Sequence, residues 1–246
     1  MKRRSAIAVL AAGFLAGCKK VQESAPMKRL FAANDGFHEG LHNVLGRRTA
    51  LAREYPASMI DHNFRGNGSR TVDTPEYRAQ LAAGFPDWTL EVGGLVDTPL
   101  SLTLDNIRRL PQRTQITRHD CVEGWSAIGE WQGPQLSVLL EAAGLNPAAR
   151  FIVFRCADTL SGRRYYESID LVDAMHPQTI VAHRLNGEDL PEKNGAPLRM
   201  RIERQLGYKH AKYLTGIEAV ASLDDIEGGK GGYWEDRSGY QWYAGI

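Results

Sequence analysis

The stretch Arg118-His119-Asp120-Cys121 sets a guanidinium, an imidazole, a carboxylate and a thiol in a row, and Glu123 and Trp125 follow closely. A structural cysteine is usually found in an apolar strand, whereas this one stands in polar and aromatic surroundings. Three uses of the thiol compete. It can be a nucleophile with His119 as base, because residues i and i+2 share a face while a strand stays regular, although no oxyanion motif follows. It can be half of a disulfide with Cys156, the chain's one other cysteine outside the N-terminal leader. It can also be a single thiolate ligand to a soft, high-valent metal that an organic cofactor otherwise holds. One thiolate is too few for a zinc site built from protein alone.

A second constellation lies in "NGAPLRMRIERQLGYKHAKYL", which packs Arg199, Arg201, Arg204, Lys209, His210 and Lys212 together. Alternation along "LRMRI" sends Arg199 and Arg201 to the same side. Cations beside glycine-rich turns suit a phosphorylated cofactor: guanidinium forks, ammonium point charges and close backbone approach. A solvated charged face is the other reading. The run favours the cofactor, because Leu206, Gly207, Tyr208 and Ala211 interrupt it where a solvated face would carry polar residues. The chain has no GxGxxG after a strand, no GxxxxGK[ST], no CxxCH and no GxSxG. Nicotinamide, nucleotide, covalent-haem and serine-hydrolase chemistry lose their usual support.

The elements that must position these groups form an α+β pattern without a strict βαβ rhythm. Strands are predicted in "WTLEVGG", "RTQITRHDC", "RFIVFRC", "TIVAHRLNGEDLP" (with an Asn-Gly turn), "APLRMRIE" and "YLTGIEAV". Short helices are predicted in "TLDNIRRL", in "PQLSVLLEAAG" with proline at its start, and in "SIDLVDAMHP". "FRGNGSRTVDTPEY" reads as a surface or site-lining loop, and the tail from Gly228 as an extended arm. With 246 residues, 43% of them hydrophobic, the chain can bury a sizeable core, and a net charge of +1 argues against nucleic acid as its partner. Residues 1–18 have the basic start, apolar run and small residues of an export signal. "LAGC" resembles a lipobox that would put a lipid on Cys18, and Arg3–Arg4 resembles a twin-arginine signal. A plain secretory signal is the alternative. Residues 19–60 read as a lead-in and 61–246 as the domain.

"RHDCVEGWS" and "LNGEDLPEKNGAPLRMRIERQLGYKHAKYLTGIE", in that order, resemble the molybdenum-cofactor domain of the sulfite oxidase family, from about Asn63 to Glu218. The likeness is closer to its compact bacterial branch, which includes a periplasmic reductase of protein methionine sulfoxide. The resemblance implies a single, mainly β domain without the family's immunoglobulin-like dimerisation domain. It implies a molybdenum–molybdopterin cofactor (Mo-MPT) and no haem, with Cys121 as the metal ligand. By the same resemblance Asn194 and Arg199 contact the pterin, His210, Ala211 and Lys212 form the phosphate-side loop, Asn67 is an N-terminal loop contact, and Cys156 stands where the bacterial reductase has a cofactor-contacting threonine. That commitment of Cys121 argues against the disulfide.

His183, in "AHRLNG", stands where sulfite oxidases carry a tyrosine, which puts sulfite in doubt as substrate. Histidine still offers a hydrogen bond and a proton. Arg118 and His183 are the candidates for the substrate side, His119 for a cofactor contact, and Trp125 for packing against the cofactor. Glu123 is either a proton relay or an ion-pair partner of Arg118 or Arg204. The expected reaction is oxygen-atom transfer to or from a small oxo substrate or an oxidised protein side chain. Electrons would pass to or from a separate partner, a membrane haem protein or cytochrome c. The chain is expected to be a periplasmic monomer, exported folded, with a lipid anchor as its one tie to a membrane. Two alternatives stay open: a hydrolase or transferase using Cys121 and His119, and a non-catalytic lipid-anchored binding module.

Overall fold

The computed structural model describes residues 48–246, and Thr49–Ile246 forms one compact unit. The stretch read as an export signal, its two arginines and Cys18 lie outside the described residues. The unit starts earlier than residue 61. Glu54 bridges Thr117, the Tyr55 N–H donates to the Ile116 carbonyl at 2.9 Å, and the Asp61 N–H donates to Ile128 at 2.8 Å. Backbone pairing of this kind makes residues 50–61 part of the domain.

Eleven strands are described, in three sheets. β1 (Thr89–Gly94), β2 (Leu100–Thr103), β5 (Phe151–Leu160), β6 (Arg163–Asp170) and β11 (Leu214–Val220) make the largest, in the order β2-β1-β11-β5-β6. Its one parallel pair is β1 with β11. β3 (Gln112–Cys121), β4 (Trp125–Pro134), β8 (Arg184–Leu185) and β9 (Glu188–Asp189) make an antiparallel sheet of four. β7 (Ile180–Ala182) pairs with β10 (Arg199–Arg201).

Helices are short: α1 (Pro75–Ala83), α2 (Leu104–Arg109), α3 (Leu136–Ala143), α4 (Leu171–Ala174) and α5 (Tyr233–Ser238). Thr103 caps α2 in a reciprocal capping box with Asn106, as "TLDNIRRL" predicts. Pro134 ends β4 instead of opening α3, whose N-cap is Gln135. The tail is not simply extended, because Tyr233–Ser238 turns into α5.

Leu90, Ile152, Phe154, Leu198, Leu214 and Ile217 anchor the main core. Phe64, Trp131, Ile180 and Leu185 anchor a smaller one. Gly133 lets β4 approach β7, since a Cβ there would overlap the Val181 carbonyl. The small β7–β10 pair is thereby held beside the hairpin that ends at Cys121. Among the described residues, no helix is long and apolar enough to cross a membrane.

Candidate functional site

Cys121 is the last residue of β3, and the chain reverses through Val122, Glu123 and Gly124 to pair Trp125 across from it. Gly124 takes φ +85° and donates its N–H to the Cys121 carbonyl at 3.0 Å. Such left-handed backbone is what glycine supplies at no steric cost. The hairpin tip points the thiol into a cavity of about 250 Å³. The cavity walls include Asn67, Ser69, Asp158, Tyr165, His210 and Lys212. Burial raises the thiol pKa, and the Glu123 backbone N–H pulls it the other way.

The cationic run is interior, not a solvated face. Arg199, Arg201, Lys209, His210 and Lys212 are all buried. Arg199 and Arg201 do share a side: their guanidinium carbons stand 4.9 and 4.4 Å from the centroid of the Trp131 ring. Their partners differ. Arg201 forks onto Glu203 at 2.6 and 2.9 Å and donates to His119 Nδ1 at 2.9 Å. Arg199 has one bond, to the Asn194 carbonyl at 3.0 Å, and its Nε and Nη2 have no partner. Burial, reinforced by Arg201, brings its pKa down to about 9.

Lys212 Nζ donates to the carbonyls of Asn67 at 2.6 Å, of Ser69, and of Lys193 at 3.4 Å. Its three N–H groups therefore clamp two loops together. Burial, and then Arg199, lowers its pKa to about 7. Gly195, at φ +106°, leaves room for this stem, for a Cβ there would sit 2.7 Å from the Lys212 Cβ. Lys209 takes no part in the cavity wall. It lies between Glu167 and Glu235, at 2.6 Å from each.

The buried polar atoms left without partners show what the site is built to hold. They include Asn67 Oδ1, Asn194 Oδ1, His210 Nδ1, His119 Nε2 and the two Arg199 nitrogens. Each such atom costs about 1–3 kcal/mol unless a bound group completes it. The His119 tautomer follows from its network: Nδ1 accepts from Arg201, so the neutral ring carries its proton on Nε2, against Gly207. Burial, then His210 and the nearby arginines and Lys212, holds that imidazole well below its usual pKa. A pterin offers ring N–H donors and a carbonyl, and its phosphate offers anionic acceptors. This donor and acceptor set matches the residues, and one cysteine thiol facing the same space completes the fit.

Asn67, Cys121, His210 and Lys212 reach the cavity wall. Asn194, Arg199, His119, Cys156 and Ala211 are buried but do not line it. Both Cys121 and Cys156 are free thiols, so no disulfide joins them. Cys156 is sealed in the main core, where burial above all pushes its pKa far up.

Arg118 and His183 are not brought to this cavity. Alternation along β3 turns Arg118 to the opposite face from Cys121, where it pairs with Asp120 at 2.9 Å and lines an open hollow with Tyr55 and Arg204. His183 donates its backbone N–H to Gln132, which pairs with Thr114, seven residues back along β3 from Cys121. At a strand's rise that is roughly 20 Å away. His183 Nε2 bonds Gln112 Oε1 at 3.0 Å in a separate hollow, and burial takes its pKa down to about 4. Glu123 lines the cavity beside Cys121 and accepts from Trp125 Nε1 at 2.9 Å. Trp125 stacks under Arg65, 5.3 Å away, and 5.5 Å from the His119 ring. No hydrogen bond joins His119 to Cys121, which removes the geometry that a cysteine hydrolase needs.

Asp158, Tyr165, Tyr208, Trp234 and Tyr240 also line the cavity and were not anticipated. A signal for Asp158 existed. It stands two residues after Cys156 on one strand, so the two share an inward face. The aromatic residues of the tail had no such pattern.

Residues 76–225 match the family described as oxidoreductase molybdopterin binding domain. The chain is 38% identical over 231 residues to a putative protein-methionine-sulfoxide reductase subunit of Azospira oryzae, covering 94% of this chain and 81% of that one. It is 35% identical to the protein-methionine-sulfoxide reductase catalytic subunit of Gluconobacter oxydans, over 67% of this chain and 57% of the relative. The fold is similar to that of the sulfane dehydrogenase SoxCD from Paracoccus pantotrophus, with a TM-score of 0.51 and 24% identity over 57% of this chain and 41% of that one. A thiol at a hairpin tip, a cavity ringed by uncommitted polar groups and these likenesses agree: the chain belongs to the sulfite-oxidase-type molybdopterin-binding oxidoreductases.

Proposed function

We propose that this oxidoreductase reduces methionine sulfoxide in proteins, with electrons from a separate membrane-bound donor. The observation that carries the reading is the Cys121 thiol facing a cavity whose buried donors and acceptors lack partners. Relatives named as protein-methionine-sulfoxide reductases support the substrate class.

Cys121 would hold the metal. The Asn67, Asn194 and His210 acceptors would take ring N–H groups, while the Arg199 fork and His119 Nε2–H would take anionic or carbonyl oxygens. When bound, the molybdenum cofactor supplies two-electron oxygen-atom transfer. The chain's own residues do the rest. The Lys212 clamp holds the 67–69 loop as a wall. Val122, 47% exposed, and Leu160 give the cavity apolar edges suited to a thioether stem. Arg201 locks His119 in one tautomer. Export of folded, loaded protein through the twin-arginine route, with a lipid on Cys18, would set the enzyme at a periplasmic membrane face beside its donor.

The test is a dye-linked assay on protein made in a host that assembles the cofactor. Oxidation of reduced viologen by methionine-sulfoxide peptides is expected, together with stoichiometric molybdenum. Loaded protein that oxidises sulfite and ignores sulfoxides would overturn the reading.

A further inference from the structure

The cavity wall carries one buried carboxyl that cofactor anchoring leaves unused. Asp158 is 2% exposed, on β5. Its Oδ2 accepts from the Ser69 hydroxyl, and its Oδ1 has no partner. Among the described residues, no cation stands within ion-pair distance: the Lys212 ammonium nearby spends its three N–H groups on carbonyls. The other carboxyl on the wall, Glu123, is tied to Trp125. The remaining titratable groups that feel the Asp158 charge are Cys156, Tyr77, Tyr165 and Tyr213, and each adds neutral or repulsive surroundings. Burial favours the neutral acid and raises its pKa, against the Ser69 hydrogen bond and the nearby Lys212 charge, which pull it down.

We infer that Asp158 is the proton donor to the oxygen that leaves the substrate. The inference rests on the sulfoxide-reductase reading. Reducing R₂S=O to R₂S and water consumes two electrons and two protons. The electron pair that breaks the S–O bond would come from the cofactor held at Cys121. Asp158 delivers one proton to the released oxygen and is recharged from solvent through the cavity mouth, and solvent supplies the second proton. A basic wall would otherwise leave the departing oxygen to water alone.

The experiment uses the loaded enzyme and Asp158→Asn, which keeps the side chain's shape and an acceptor for Ser69. Turnover of a methionine-sulfoxide peptide with reduced benzyl viologen is followed against pH. The expected loss in kcat is about 10²-fold, typical of general-acid removal, with KM little changed and the descending alkaline limb abolished. Molybdenum and pterin content should equal wild type. Infrared difference spectra should show a protonated carboxyl C=O band in wild type that is missing from Asp158→Asn, a readout independent of turnover. A variant with wild-type kcat and pH profile overturns the assignment. So does loss of cofactor, which would make Asp158 an anchor, or absence of the carboxyl band. Inactivity of the wild type on every sulfoxide would instead overturn the substrate reading.

Discussion

At the scale of single residues, chemistry separates groups that the sequence lists side by side. Cys121→Ser replaces a soft thiolate by a hydroxyl that hardly ionises. Turnover should vanish while pterin remains bound through its other contacts, measured as pterin per protein after acid release. Arg199→Ala removes the unpaired fork, worth about 1.5–3 kcal/mol in charge-assisted hydrogen bonds, and should lower cofactor occupancy without changing the rate per loaded molecule. Arg118→Ala and His183→Gln are expected to keep turnover within about twofold, because neither side chain faces the cavity. A tenfold fall in either would return it to the substrate side.

Acidity has a direction here as well. Lys212 at about 7 and Arg199 at about 9 lie below their ordinary values of 10.5 and 12.5. The unfolded chain therefore binds more protons above neutrality, and the stability of cofactor-free protein should rise with pH from about 7 to about 10. An anionic group at the site restores both charges, so this slope should flatten in loaded protein. Thermal unfolding of both forms across that range would show it.

At the scale of elements, what could be read was whatever local pattern decides. The capped α2, the strand running into Cys121, and the common face of Arg199 and Arg201 all follow from spacing. The site did not: Cys121 as the metal ligand and the residues from Asn194 to Lys212 as cofactor contacts are what the resemblance to the molybdenum-cofactor domain implies. What could not be read depends on pairing between distant segments. Nothing local says that Glu54 bridges Thr117, or that His183 aligns with Gln132 instead of the hairpin tip. The tail gives the clearest case. Lys209 looked like a cofactor cation, but Glu235 on α5 and Glu167 on β6 claim it. Lys209→Met should therefore spare the cavity chemistry and strike the fold. Two buried carboxylates would face each other unpaired, at a cost of about 3–5 kcal/mol, visible as a lowered urea midpoint.

At the scale of the whole molecule, the proposed export route ties folding to location. If the protein crosses loaded, changing Arg3 and Arg4 together to Lys should leave molybdenum-containing protein in the cytoplasm. Normal export of the loaded variant, seen in a periplasmic extract, would count against that route.

The Lys212 clamp carries a kinetic meaning. Its ammonium joins Asn67 and Ser69, early in the compact unit, to Lys193 and to its own place near the end. The wall between them is a latch made of segments more than a hundred residues apart in the chain. A group enclosed behind such a latch escapes at the rate at which the latch opens, whatever its equilibrium affinity. The residence time of the cofactor should then track the hydrogen-exchange rates of the amides at 67–69, and Lys212→Met should shorten both together.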